Sequence, residues 1–243
     1  MDDDQPRGYG QFCAVARALE VLGERWTLLV VRELLLGSTR FSEIQQGLPR
    51  ISRTMLSARL KTLERAGVID HLPDGAYRLT EAGRALRGVI AELGAWATPW
   101  DRRGLQPDHF DPQVLTWDMR RRVHHDRLPD GLTVVELYFP GTRPDRFFLH
   151  INPAGLTLCT EDLGRPVDLR IQADLSAFTR WWMGDLAWED LLRTGAARLE
   201  GPTTLRRAFP TWFRGYIFGA PSAATAEGSS RSQGLVMGPG ADG

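Results

Sequence analysis

The sequence predicts an α+β protein in two parts, a mainly helical N-terminal part followed by a part built from a sheet and helices. Apolar residues recur at helical spacing over most of residues 12–97. Beyond residue 112 they alternate over short runs, as they do in strands. The segment 100–112, rich in proline, glycine and charge, is typical of a linker between the two parts.

The first part opens with two predicted helices. Apolar residues at helical spacing predict a helix that Gly23 ends, and the stretch RWTLLVVRELLLG predicts a second one. The second helix is apolar on all sides, so it should form the buried centre of this part. Arg40 and Phe41 are then expected in a short strand, with Ser42 as the N-cap of a short third helix.

A fourth helix is predicted between Ser52, its expected N-cap, and Gly67, which should stop it. At 3.6 residues per turn, Leu56, Leu60 and Leu63 fall on one face, which should be buried. The opposite face carries hydroxyls, an alanine and cations, whereas a solvated helix face usually carries paired charges of both signs. This face is suited to lie against an anionic partner.

A hairpin and a long helix complete the first part. Two short apolar runs joined by Pro73-Asp74-Gly75 predict the β-hairpin, and residues 80–97 predict the helix. The resulting order of helix, helix, short strand, helix, helix, hairpin and helix is that of a winged helix-turn-helix domain.

The second part is predicted to be an α/β domain, a mainly antiparallel sheet with helices. The expected strands are 114–123, 132–139, 146–151, 156–161, 167–175 and 197–201, and the expected helices are 176–185, 188–195 and 203–215. Pro210 should kink or split the last helix. The segments of the whole chain are predicted as a flexible N-terminus 1–10, a DNA-binding and dimerisation domain 11–99, a linker 100–112, a ligand-binding domain 113–218 and a disordered tail 219–243.

The overall charge excludes a protein that binds nucleic acid over its whole surface, because 30 basic residues balance 30 acidic ones. Between Arg40 and Arg65, however, six basic residues stand against two acidic ones, and this local charge of +4 coincides with the fourth helix. Two distant cysteines, an acidic start without an apolar leader and no run of 18 apolar residues favour a cytoplasmic protein without membrane contact.

Several blocks of the first part occur together in the order of a known family. The blocks RALEVLGERWTLLVVREL, RFSEI, ISRTMLSARLKTLE and LTEAGRAL, within about residues 11–97, closely resemble the HxlR-type winged helix-turn-helix transcription regulators. The resemblance implies a homodimer that binds double-stranded DNA, with the N-terminal helix and the helix after the wing forming the dimer interface. The wing here is shorter than is usual in that family, which leaves its contact with the minor groove open.

The second part resembles a sterol-carrier-protein-like domain. The resemblance runs from VDLRIQADLSAFTRWWMGD through GAARLEGPTTLRRAFPTWF, and it implies an apolar ligand cavity. An unusually aromatic set of side chains is expected either to line that cavity or to fill an ordinary core. The candidates are Phe178, Trp181, Trp182, Trp188 and Trp212.

The fourth helix supplies the candidate DNA contacts. Short or flexible polar side chains on a helix that enters the major groove can read base edges, so Arg53, Thr54, Ser57 and Lys61 are candidates for base readout. Cations nearer the ends and sides of the helix would contact phosphates. These are Arg50, Arg59 and Arg65, and the N-cap Ser52 completes the set. The alternative is an ordinary solvent-exposed helix face.

Cys13 is the one candidate for reactive chemistry. The family resemblance implies a redox-sensing cysteine in this N-terminal position, and a helix N-terminus can lower a thiol pKa, although most free cysteines simply pack in a core. No phosphate-binding loop, nucleophile motif or metal-ligand spacing occurs in the sequence. We therefore expect no catalytic residues, no metal and no cofactor.

The favoured interpretation is a dimeric bacterial transcription regulator that binds an inverted-repeat operator. A repressor is favoured over an activator, because a dimer that blocks an operator needs no further surface. A hydrophobic small molecule in the C-terminal domain would modulate its DNA affinity. The alternative is a carrier of a lipid or hydrophobic metabolite whose N-terminal domain serves only dimerisation, and an enzyme is not expected.

Overall fold

The structure is a computed structural model that describes residues 8–100 and 104–216. Within these ranges the chain forms a winged helix-turn-helix unit followed by a unit of sheet and helices, which confirms the α+β fold class. The predicted tail 219–243 and most of the predicted flexible N-terminus 1–10 lie outside the described residues. Among the helices described, none is both long and apolar enough to cross a membrane.

The N-terminal unit contains five helices and one hairpin in its described residues. They are α1 Ala14–Leu22, α2 Thr27–Leu35, α3 Phe41–Gly47, α4 Arg53–Arg65, β1 Ile69–His71, β2 Tyr77–Leu79 and α5 Glu81–Trp100. The strands β1 and β2 pair antiparallel. The core of this unit is centred on Val30 and Val31 of α2, which pack with the buried leucine stripe of α4. The predictions of a buried α2 and of a buried stripe on α4 are both confirmed.

The start of α3 corrects one prediction. Arg40 and Phe41 do not form a strand: Arg40 is the N-cap and the helix begins at Phe41, one residue before the expected cap Ser42. The carboxylate of Glu43 accepts the backbone N–H groups of Thr39 at 2.8 Å and Arg40 at 3.1 Å. The Glu43 side chain therefore reaches back to the N-cap residue and the residue before it, as the third helical residue does in a capping box.

The C-terminal unit contains a five-stranded sheet in the order β5-β4-β3-β6-β7. Its elements are α6 Pro112–Arg121, β3 Thr133–Tyr138, β4 Arg146–Asn152, β5 Gly155–Cys159, β6 Leu169–Ala173, α7 Leu175–Met183, α8 Trp188–Arg193, β7 Ala197–Glu200 and α9 Thr203–Ala208. All neighbouring strands are antiparallel except β3 and β6, which are parallel. In agreement with the position of Pro210, the last helix is split, because α9 ends at Ala208 and a 3-10 turn follows over Phe209–Trp212.

The segment 114–123 corrects a second prediction, because it forms most of the helix α6 and not a strand. Asp111 caps this helix by accepting the N–H groups of Gln113 at 2.9 Å and Val114 at 3.3 Å. The strand-like alternation of apolar residues has another cause: α6 packs against α3 on the N-terminal unit and against β5 of the sheet. A helix covered on two sides is apolar on two sides, so its helical period is hidden.

Candidate nucleic-acid interface

The α4 helix exposes a polar, cationic face, and its opposite face packs in the core of the N-terminal unit. The side chain of Ser52 accepts the N–H of Met55 at 3.2 Å, so the predicted N-cap is present. Leu56, Leu60 and Leu63 are buried in the core of the N-terminal unit. On the opposite side, three of the four candidates for base readout are exposed and Ser57 is half-buried. The exposed candidates are Arg53, Thr54 and Lys61, and the phosphate candidate Arg65 is exposed as well.

Arg59 does not belong to this face, which corrects its assignment as a phosphate contact. Its side chain is only 14% exposed and forms an ion pair with Glu24. Its Nε donates to the backbone carbonyl of Arg25 at 3.0 Å. The guanidinium therefore ties α4 to the loop before α2, because a buried cation must be paired. The helical period places Arg59 at the side of α4, but a partner 34 residues away has no local signal in the sequence.

The other arginines predicted to contact DNA are exposed, and each has a different neighbour. The guanidinium of Arg53 lies over the ring of Phe41, 5.3 Å from its centroid, which restrains it at the N-terminal end of α4. Arg65 donates from Nε to the carbonyl of Lys61 at 3.3 Å. Arg50, in the turn before α4, lies 3.8 Å from the carboxylate of Asp108. Each of these cations remains accessible to an anionic partner.

The wing is short and carries an acid at its tip. Arg40 donates to the backbone carbonyl and to the carboxylate of Asp74, which links α3 to the wing. The backbone N–H of Ala76, followed by the Arg40 guanidinium, lowers the pKa of Asp74. An ionised aspartate would repel a phosphate backbone, so this tip is poorly suited to the minor groove. Arg78 on β2 is exposed and is a cation of the wing that the sequence reasoning did not single out.

Two apolar surfaces on α5 and on the segment that includes α1 have no covering partner in the described chain. Large apolar side chains are exposed on both helices, whereas a monomer usually buries most residues of this kind. They are Phe12, Val15 and Leu19 on or beside α1, and Val89, Leu93 and Trp96 on α5. One side of each of these two helices is therefore apolar and uncovered among the described residues.

Cys13 lies at the N-cap position of α1 and is exposed. The nearby backbone N–H groups of Ala16 and Val15, in the first turn of α1, lower the pKa of its thiol. A lower pKa gives a larger thiolate fraction at neutral pH, and the thiolate is the reactive form. The other free cysteine described, Cys159, is half-buried in β5.

The aromatic set packs mainly as core. Phe178, Trp182, Trp188 and Trp212 are buried between the helices and the sheet, and Trp181 is half-buried beside them. Their rings contact one another, as in the pairs Trp181 with Trp188 at 4.7 Å and Phe178 with Trp181 at 4.8 Å between centroids. Burial and ring contacts favour the alternative of an ordinary core for most of the set, because buried side chains normally pack closely against one another.

A cavity of about 570 Å³ lies between the two units and not inside the second one. Its walls come from α2 and α5 on one side and from α6 and α7 on the other. Of the five aromatic candidates, Trp182 lines this cavity, and its Nε1 donates to the carboxylate of Asp118 at 2.9 Å. The other four candidates do not line this cavity. They are Phe178, Trp181, Trp188 and Trp212, which the sequence assigned to a cavity inside the C-terminal unit.

Buried charges join the two units beside this cavity. The carboxylate of Glu33 on α2 is fully buried and accepts from Arg121 of α6 at 2.7 Å and from Arg32 at 2.7 Å. A Cβ on Gly47 would come within 1.9 Å of this carboxylate, so only glycine fits at that place in α3. Among the described residues, no group of three His, Cys, Asp or Glu side chains could hold a metal ion.

Comparison with known proteins supports a regulator. The family model for the HxlR-like helix-turn-helix matches residues 21–104. The uncharacterized HTH-type transcriptional regulator YvaP of Bacillus subtilis (strain 168) is 44% identical over 90 residues, which are 35% of this chain and 83% of that protein. The chain belongs to the HxlR-like helix-turn-helix family.

A second regulator matches a similar share of the chain. The HTH-type transcriptional regulator YodB of Bacillus subtilis (strain 168) is 42% identical over 86 residues, covering 33% of this chain and 77% of YodB. The crystal structure of quinone-bound YodB has 39% identity and a TM-score of 0.34, and it covers 36% of this chain and 99% of that one. Because the HxlR-like family model ends at residue 104, α6 and everything after it lie outside the match.

The unit that follows the HxlR-like domain has the sheet-and-helix architecture that its sterol-carrier-like resemblance implied. A structure of the UbiJ-SCP2 ubiquinone synthesis protein covers 36% of this chain and 68% of that one, with 16% identity and a TM-score of 0.30. Values this low do not support a functional conclusion. The function of the C-terminal unit must therefore be argued from its own residues.

Proposed function

We propose that this HxlR-family chain is a DNA-binding transcription regulator that acts as a homodimer on an inverted-repeat operator in double-stranded DNA. The exposed face of α4 carries the proposal, since it combines cations and hydroxyls on a helix whose position is fixed by a cap and a buried leucine stripe. A helix so presented can lie in the major groove, where arginine, lysine and hydroxyl side chains contact base edges and phosphates. The proposed contacts are Arg50, Ser52, Arg53, Thr54, Ser57, Lys61 and Arg65.

The uncovered apolar faces of α1 and α5 support the homodimer. A second copy of the chain could cover both surfaces at once, and a two-fold dimer would then place two α4 helices about one turn of DNA apart. Occupation of an operator by such a dimer blocks other proteins without any further surface. Repression is therefore the simpler mode of action to propose.

Loss of the cations at the C-terminal half of α4 should weaken DNA binding. In the double variant Lys61→Ala/Arg65→Ala we expect at least a tenfold lower affinity and a flatter dependence on salt, because each phosphate contact releases counterions. Thr54→Ala should instead relax the base preference. Fluorescence anisotropy at several salt concentrations, on operator fragments selected from genomic DNA, measures both effects.

The matched control is Arg206→Ala/Arg207→Ala, which removes two exposed charges from α9 of the C-terminal unit. This control should bind with the salt dependence of the wild type. If the α4 double variant behaves like the control, α4 does not face the phosphates and the proposed interface is wrong. If the wild type selects no DNA at all, the carrier alternative replaces the regulator.

We propose that oxidation of Cys13 changes the operator affinity of the regulator. Its exposure and its lowered thiol pKa favour attack on oxidants at neutral pH. We expect diamide to change operator affinity in the wild type and in Cys159→Ser, but not in Cys13→Ser. An equal response in all three proteins would assign the effect to another part of the chain.

A further inference from the structure

We infer that the cavity between the two units binds a small apolar carboxylic acid. We further infer that this acid is an effector of DNA binding, a second step that rests on the proposed function. The site differs from the one expected from the sequence, which was an apolar cavity inside the C-terminal unit.

The apolar part of the cavity suits a hydrophobic body. Leu35 of α2, Ile90 of α5, Val114 of α6 and Met183 of α7 line it from four helices. Its volume of about 570 Å³ lies within the usual size of small-molecule sites. Because its walls are side chains of different helices, a guest there would remove apolar surface of both units from water.

The charged part of the cavity is rich in hydrogen-bond donors. Arg32, Arg121 and Arg122 all line it, and the nearest carboxylates, Glu33 and Asp118, already accept from them. Asp118 also accepts from Trp182. Arginine and tryptophan side chains can only donate, so a guest that enters this end meets donors and finds its carboxylate acceptors already engaged.

Positive charge selects an acid among possible acceptors. The three guanidiniums share two carboxylates, which leaves one positive charge at this end. A carboxylate supplies both the missing charge and paired acceptor oxygens, and guanidinium groups bind it more strongly than a neutral carbonyl.

The other charged groups of the lining do not offset this preference. Arg87 and Glu92 are exposed on α5 and balance each other. Asp111, the N-cap of α6, lies at the end of that helix opposite to Arg121, roughly 15 Å away along its axis. His109 is almost half exposed and lies 3.8 Å from Asp108. The excess of donors is therefore confined to the end formed by Arg32, Arg121 and Arg122.

The position of the cavity gives such a guest a route to the DNA-binding unit. Two walls belong to helices of that unit and two to the C-terminal unit, and the buried pair of Glu33 and Arg121 joins them at the cavity. A guest that contacts both sides binds more tightly to one relative arrangement of the units than to another. By linkage, DNA and guest then change each other's affinity by the same factor.

Calorimetry on the full-length protein tests the site, with decanoate and 1-naphthoate as probes and decan-1-ol as the uncharged control. Val114→Trp should fill the cavity and lower acid affinity at least tenfold. Gln113→Trp, on the neighbouring residue of α6 outside the lining, should bind like the wild type. Arg32→Gln should lower acid affinity about tenfold and leave decan-1-ol binding unchanged, because charge-assisted bonds are lost.

Failure of both acids to bind the wild type, or undiminished binding in Val114→Trp, would overturn the site. If Val114→Trp unfolds at a lower temperature than the wild type, the variant Val114→Phe, which adds a smaller side chain, is measured in its place. Equal binding of decan-1-ol and decanoate would overturn the acid preference.

The effector step is tested by measuring operator affinity with and without decanoate. A decanoate-induced change in affinity that is present in Gln113→Trp and absent in Val114→Trp supports this step. An operator affinity that decanoate does not change in the wild type overturns it. Acid binding by a protein that selects no DNA would refute the proposed function while leaving the site intact.

Discussion

Replacement of Arg121 by alanine is expected to lower the free energy of unfolding by about 3 kcal/mol, since the change removes one of the two guanidinium partners of a buried carboxylate. Glu33 is fully buried, and its Oε2 accepts from Arg121 at 2.7 Å. Arg32 remains on Oε1, so the loss should fall at the lower end of the range for broken buried pairs. Urea denaturation at a fixed protein concentration, followed by circular dichroism, measures the loss.

Two further variants separate this buried pair from a general effect of arginine removal. Arg193→Ala removes an exposed arginine that pairs with Asp190 on the same helix, and it should leave the unfolding midpoint unchanged. The double variant Glu33→Gln/Arg121→Met removes both charges and should recover much of the stability, because no buried ion is left unpaired and Arg32, which loses Glu33, is 32% exposed to solvent. An Arg121→Ala protein as stable as Arg193→Ala would show that the link between the units contributes little.

Phe178→Ala is expected to cost about 4 kcal/mol of unfolding free energy, as is typical when a buried phenyl ring is removed. The Phe178 ring is fully buried and contacts Phe139, Trp181 and Trp188 edge-on. The same variant distinguishes a packed core from a ligand-lined wall, since a ring beside an open space has fewer contacts to lose. Urea denaturation again gives the value.

Leu163→Ala serves as the surface control for this variant, because Leu163 is exposed and its loss leaves no cavity. It should unfold at the urea concentration of the wild type. If Phe178→Ala lowers the free energy of unfolding by less than about 1 kcal/mol, the ring lines an open space and is not part of a packed core.

The elements that the sequence predicted correctly are those set by neighbours along the chain. The cap Ser52, the leucine stripe of α4 and the turn at Gly75 each depend on residues within a few positions. Apart from the strand expected at Arg40 and Phe41, the order of elements in the winged helix-turn-helix unit is therefore evident from the sequence alone. By contrast, α6 is apolar on two sides because it lies between α3 and β5, and this arrangement has no signature within α6 itself.

The candidate sites show the same difference between features set by neighbours along the chain and features set by distant residues. Exposure of Lys61 and Arg65 follows from the period of α4 alone. The pairing of Arg59 with Glu24, and of Arg121 with Glu33, joins residues far apart in the chain, so no spacing rule indicates it. The cavity is harder still to foresee, because it exists only where two separately patterned units meet.

The parallel pairing of β3 with β6 has a consequence for how the chain is made. β3 sits at the centre of the sheet, and its partner β4 follows directly, but β6 leaves the ribosome only after β4 and β5. Until then the backbone groups along one side of a strongly apolar strand have no partner, which is the condition for pairing with another nascent chain. Translation that stops before Leu169 would thus release an incomplete, aggregation-prone sheet attached to the winged helix-turn-helix unit. We expect quality-control proteases to degrade such a fragment, so it would not act as a smaller regulator.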